Sequence, residues 1–249
     1  MNSNQRGELI VFEDSVALAE HGAQQFVALA QKAIQNHGKF SVALSGGSTP
    51  RKMYQLLAQS PYRDQVDWSN IHVFWGDERY VPPDDPDNCF YMVQEVLLAH
   101  VPITAANIYP IPTIGGTPEA AAQAYAATIT AFFDGAVPTF DLVYLGMGPD
   151  GHTASLFPGQ SDVTEPSEAL AVAVHDAPKP PPTRISLTFK ALNTAHNIRF
   201  LVAGADKADM LKQVLQGTLD VSQRPAQGIQ PTNGKLTWLV DKMAAAQVS

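Results

Sequence analysis

The segment 145–159, LGMGPDGHTASLFPG, holds the residue types best suited to chemistry. An apolar run over 140–145 feeds it, and Gly146, Gly148, Pro149 and Gly151 then break regular structure. Such a loop after a buried strand lies where open α/β sheets bind ligands, outside the carboxyl ends of the strands. His152 in that loop can act as a general base near neutral pH, because an unperturbed imidazole titrates at about 6.5. Asp150 stands just before it in the same loop. His21, His37, His100 and His196 fall on helices or near element ends. Asp150 and His152 lack a second pair at ligand spacing, and the sequence does not place His72 or His175 near them, so no metal site is expected.

Two further segments offer complementary groups. SGGSTP, residues 45–50, places Gly46, Gly47 and Ser48 between an apolar strand and a helix start. There, backbone N–H groups and the helix dipole converge, and glycine lets a phosphate approach closely. Thr49 is expected to cap the helix and Pro50 to fill its first position. No Gly-Lys-Ser/Thr follows, so this is not a Walker A loop. A plain strand-to-helix turn would use the same residues. Gly76-Asp77-Glu78-Arg79 ends another strand, with Arg79 available as a phosphate fork and Asp77 as a second carboxylate. The same residues would also make an ordinary salt-bridged loop. Arg184 and Lys207 are further cations at element ends. Gly146 to Gly151 matches the dinucleotide pattern G-x-G-x-x-G, yet Pro158 and Gly159 stop any following helix after about one turn, so a dinucleotide site is not expected. Two acid-bearing strand ends, one anion loop and several cations make a phosphorylated small substrate the economical reading.

The elements that must position these groups follow from periodicity. Strands are expected at 8–12, 40–44, 71–75, 140–145, 169–174, 184–189, 198–203 and 236–240. Val16, Ala19, Ala23, Phe26, Ala30 and Ile34 recur at helical spacing, and Gly38 would end that helix. Met53, Leu56 and Leu57 give the helix after SGGSTP a buried side. Further helices are expected over 89–100, from Pro118 to about residue 133, and from 204 through 216. PKPPPT, ahead of Arg184, reads as a stiff extended link. Strands alternating with helices predict an α/β fold: a mostly parallel sheet flanked by helices in a Rossmann-like three-layer arrangement, with a smaller irregular or β segment. No stretch has linker composition, so residues 1–249 are expected to form a single domain.

Composition narrows the function classes. With 249 residues, 45% of them hydrophobic, the chain can bury a sizeable core. Sixteen basic against 24 acidic residues give a net charge of −8, which disfavours a nucleic-acid partner. An anionic ligand would therefore need its cations gathered locally. Cys89 is the single cysteine, which excludes an intrachain disulfide and fits a reducing compartment. Neither a signal peptide nor a membrane-spanning apolar run is apparent, so a cytoplasmic protein is expected.

Together SGGSTP, FWGDERYVPPDDPDNCFYMV, LGMGPDGHTASLFPG and PKPPPTRISLTFKALN resemble the 6-phosphogluconolactonases, in the same order and over essentially the whole chain. The resemblance implies one α/β domain that hydrolyses the ring ester of 6-phosphoglucono-δ-lactone in the pentose phosphate pathway without a cofactor. It implies that Gly46, Gly47 and Ser48 form the phosphate loop, with Arg79, Arg184 and Lys207 around the phosphate. His152 matches the general base, with Asp150 beside it and Asp77 across the site. A glucosamine-6-phosphate deaminase/isomerase is the nearest alternative, sharing the fold, the phosphate loop and a Gly-Asp-Gly-His segment. The Thr-Ala-Ser-Leu-Phe-Pro after His152 and the Trp-Gly-Asp-Glu-Arg strand end favour the lactonase. A non-catalytic sugar-phosphate domain of a transcription regulator normally carries a helix-turn-helix, for which the segment before the first helix leaves no room. A monomer is expected.

Overall fold

A computed structural model describes residues 6–165 and 167–248. The chain runs β1 (Glu8–Phe12), α1 (Ser15–His37), β2 (Phe40–Leu44), α2 (Ser48–Leu57), β3 (Ile71–Trp75), β4 (Asp77–Arg79) and α3 (Cys89–Val96). It continues through α4 (Pro118–Phe132), β5 (Leu142–Leu145), α5 (Ser161–Thr164), β6 (Ala171–Val174), β7 (Arg184–Leu187) and α6 (Phe189–Leu192). The last elements are β8 (Asn197–Val202), α7 (Ala208–Gln216) and β9 (Lys235–Asp241).

Six strands form one parallel sheet in the order β1-β9-β8-β5-β2-β3. Every residue of β2 and β5 is buried, as expected for strands covered on both faces. Helix α1 starts at Asp14, whose side chain accepts the N–H groups of Val16 and Ala17, and ends at Gly38 in the left-handed region. Gly22 of α1 packs against Met53 of α2 and near Leu201 of β8, so both helices cover one face of the sheet. Phe200 points the other way and stacks on Trp238 at 3.8 Å. The indole of Trp238 donates to the Arg6 carbonyl, and the Arg6 guanidinium reaches the carbonyls of Val214 and Gly217 at the end of α7. That chain of contacts sets α7 on the opposite face. No helix among the described residues is long and apolar enough to cross a membrane.

From β2 the chain steps outward to β3, whereas from β5 it steps the other way to β8 and β9. The strand order therefore reverses between β2 and β5, and a crevice forms at their carboxyl ends. A second sheet, β4-β7-β6, is antiparallel, and its register sets Arg79 directly opposite Arg184.

Local differences from the sequence expectations have physical causes. Helix α2 begins at Ser48 with Gly47 as its N-cap, two residues before the expected Thr49 cap. Gly47 holds φ +110, a conformation that side chains disfavour, and Pro50 in the first turn forfeits an N–H that lacks a helical partner anyway. The helix from Cys89 ends at Val96, and a 3₁₀ turn over Leu98–His100 takes its place. Asp77–Arg79 forms a strand of the small sheet rather than a loop.

Candidate active site

The loop after β5 is built around a histidine and its acceptor. Gly148 N–H donates to the His152 carbonyl at 2.9 Å, and Gly151 N–H to the Gly148 carbonyl at 3.0 Å, closing a tight turn. Within it, His152 Nδ1 lies 2.5 Å from Asp150 Oδ1. A Cβ on Gly148 would stand 2.0 Å from His152 Nδ1 and 2.3 Å from Asp150 Oδ1, so only glycine leaves room for the pair. Burial alone would raise the Asp150 carboxyl, but the hydrogen bond and charge of His152 outweigh it and hold the group at about 2. Asp150 is thus ionised and can only accept, so the bridging proton belongs to His152 Nδ1. In the neutral imidazole that arrangement leaves the lone pair on Nε2. The imidazole packs 4.6 Å from the Phe157 ring, over which the Arg184 guanidinium also sits at 5.6 Å.

The small sheet supplies the facing wall. Asp77 is buried and its Oδ2 accepts the Ser155 hydroxyl at 2.6 Å. Ala154, just before Ser155, adopts φ +47, a left-handed conformation that costs an alanine roughly 1–2 kcal/mol. Arg79 donates to the Asp87 carbonyl at 2.6 Å. Arg184 is only 5% exposed and donates to the carbonyls of Pro181 and Lys179 at 3.2 and 3.0 Å. Burial lowers the Arg184 pKa, and the Arg79 charge adds to that. Glu78, 1% exposed, accepts the N–H groups of Arg79, Cys89 and Phe90 at 2.8, 2.7 and 2.8 Å. It thereby ties β4 to the start of α3. Burial pushes its carboxyl up to about 7 against the pull of those bonds.

These parts enclose a cleft of about 240 Å³ at the crevice between β2 and β5. Gly46, Gly47, Ser48, Asp77, Arg79, His152, Arg184 and Lys207 all line it. Asp150 does not; it stands behind His152. Sequence reasoning missed Lys179, which also lines the cleft, and Ser155, which holds Asp77. The Lys179 signal was its place in PKPPPT, just ahead of Arg184. Ser45 was overlooked as well: it lines the cleft, and its buried hydroxyl has no hydrogen-bond partner among the described residues. Cys89 lies under Gly46, where an added Cβ would meet its Sγ at 2.3 Å. Among the described residues the cleft sets Arg79, Lys179, Arg184 and Lys207 against one lining carboxylate, Asp77, with Lys207 Nζ also paired to Asp206 at 2.5 Å. Among the described residues no three His, Cys, Asp or Glu side chains gather as a metal-binding group. The arrangement can bind an anion at one end and present a base at the other.

Residues 13–238 match the family model described as glucosamine-6-phosphate isomerases/6-phosphogluconolactonase. The chain is 43% identical over 216 residues to a 6-phosphogluconolactonase of Synechocystis, covering 86% of each protein. It is 38% identical over 242 residues to one from Nostoc, covering 96% of this chain and 97% of the relative. The solved structure of a Trypanosoma cruzi 6-phosphogluconolactonase superposes with a TM-score of 0.87 at 25% identity, over 99% of this chain and 98% of that one. The chain belongs to the glucosamine-6-phosphate isomerase/6-phosphogluconolactonase family.

Proposed function

We propose that this chain is a 6-phosphogluconolactonase, an enzyme that hydrolyses 6-phosphoglucono-δ-lactone to 6-phosphogluconate in the pentose phosphate pathway, its whole length serving as one lactonase domain. The observation that carries the reading is the pairing of a cationic cleft wall with the Asp150-supported imidazole. The relatives named for this activity match nearly end to end, which supports it further.

The 6-phosphate sits on the Gly46-Gly47-Ser48 loop at the start of α2, with Arg79, Arg184 and Lys207 as counter-charges. That anchorage fixes the lactone ring relative to His152. A lactone is an activated ester, so water can attack it without a covalent enzyme intermediate. His152 Nε2 takes a proton from water as the oxygen bonds to C1. Asp150 stabilises the resulting imidazolium through Nδ1. The carbonyl oxygen carries the negative charge of the tetrahedral intermediate. On collapse the bond from C1 to the ring oxygen breaks, and the imidazolium returns its proton to that oxygen. Asp77, held by Ser155, faces the sugar hydroxyls as an acceptor.

The test is acid release from freshly generated lactone, with spontaneous opening subtracted. The wild-type chain should accelerate hydrolysis, and His152→Ala should lower the rate by about a hundred- to ten-thousandfold. A His152→Ala rate near that of the wild type would remove His152 as the base. Ammonia release from glucosamine 6-phosphate should be absent; its presence would favour the deaminase.

A further inference from the structure

A second cleft opens at the other end of the sheet, where β2, β5, β8 and β9 begin beside the C-terminal half of α1. It encloses about 500 Å³. Strands of this length hold it about 15 Å from the active site, at roughly 3.3 Å per residue.

Its floor is Arg199, which points like Leu201 toward α1 and is 7% exposed. The guanidinium donates only at the limit of hydrogen bonding, to the Ile198 carbonyl at 3.3 Å and to Asn197 Oδ1 at 3.4 Å. No carboxylate among the described residues pairs with it; Glu8 acts on it only at Coulombic range. Burial lowers its pKa, the mark of a cation removed from water without a matching charge. A buried charge of that kind is costly unless a partner arrives.

The rim repeats the sign. Lys32, Lys235, His196 and Asn36 line the cleft, and none of these side chains has a hydrogen-bond partner among the described residues. Asp141 also lines it, but its carboxylate is already engaged. It accepts the Ser41 N–H and hydroxyl at 2.8 and 2.9 Å and lies 3.0 Å from His37 Nε2. A chain of net charge −8 has therefore gathered cations at this end too. Exposed lysines alone would be ordinary solvated surface; the buried arginine beneath them, with no carboxylate partner among the described residues, sets this cleft apart.

We propose that this cleft is a second ligand site, for a small, multiply charged anion that also bears hydroxyl groups, such as a phosphorylated or carboxylated polyol. Arg199 forks the anionic group, Lys32 and Lys235 close over it, and Asn36 and His196 meet the hydroxyls.

Calorimetric titration with 6-phosphogluconate, read together with the histidine ring resonances, tests this. The wild-type chain should bind two equivalents, and the His196 and His37 resonances should shift with the second. Lys32→Glu with Lys235→Glu should weaken the second equivalent about tenfold or more, because each lost charge-assisted contact is worth at least that factor. The first equivalent and lactone turnover should be unchanged. Arg199→Met should abolish the second equivalent, with circular dichroism reporting whether it folds; the rim variants do not touch the core. A single equivalent in the wild-type chain with unmoved His196 and His37 resonances would overturn the proposal. So would a second equivalent that survives the rim substitutions.

Discussion

His152 and Asp150 work as a pair whose parts are unequal. Asp150 is absent from the cleft wall and, in the proposed mechanism, acts through the imidazole by holding the Nδ1 proton. Asp150→Asn should therefore lower kcat by about a hundredfold with KM little changed, a split that steady-state kinetics reads directly. The Asp150 carboxyl, ordinarily near 3.8, is held at about 2, so its contribution to stability is present above the ordinary value and is lost as pH falls toward 2. Activity lost in mildly acidic solution accordingly belongs to another group. Arg184 makes the opposite prediction. Arg184→Ala should raise KM and reduce kcat/KM by about ten- to a hundredfold, the worth of one charge-assisted contact. Both were legible in the sequence as residues, yet the bond between Nδ1 and the carboxylate was not, because it depends on how Gly148 folds the turn.

At the scale of elements, close backbone approaches carry the site. Gly148→Ala should cost most of the activity, since its Cβ would displace both members of the pair, while a melting curve shifts far less than turnover falls. Gly46→Ala collides with Cys89, so pairing it with Cys89→Ala should recover phosphate binding lost in the single variant. Glu78 joins β4 to α3 and has a raised pKa, so the sign runs opposite to that of Asp150. Its contribution is fully present below the ordinary 4.5 and is lost as pH rises through about 7. Chemical denaturation of the wild type against Glu78→Gln should show the wild-type advantage shrinking over that window, by up to roughly 3 kcal/mol. The parallel strands and the tight strand-to-helix turn over residues 45–50 were readable from apolar runs and glycine placement. β4 was not, because a three-residue strand has no periodicity and pairs with residues about a hundred positions away. Lys179 was read as part of a stiff link, since nothing local says that the link bends back over the cleft.

At the scale of the whole molecule, an acidic protein presents a cationic cleft to an anionic substrate. Substrate capture should weaken as salt rises, with kcat/KM falling and kcat steady, because ions shorten the reach of the cleft charges to about 10 Å at 0.1 M. The register of the small sheet goes further. Arg79 and Arg184 face each other across an antiparallel ladder, where like charges oppose pairing. On the proposed reading the small sheet pairs against its own electrostatics, and the substrate phosphate would be the counter-ion that relieves it. Ligand and fold are then linked in both directions: whatever loosens the pairing of β4 with β7 weakens phosphate capture, and phosphate in turn tightens the sheet. Amide exchange in β4 and β7 should slow on adding phosphate while that in β1 and β9 stays constant, making the ligand a structural component of the wall that holds it.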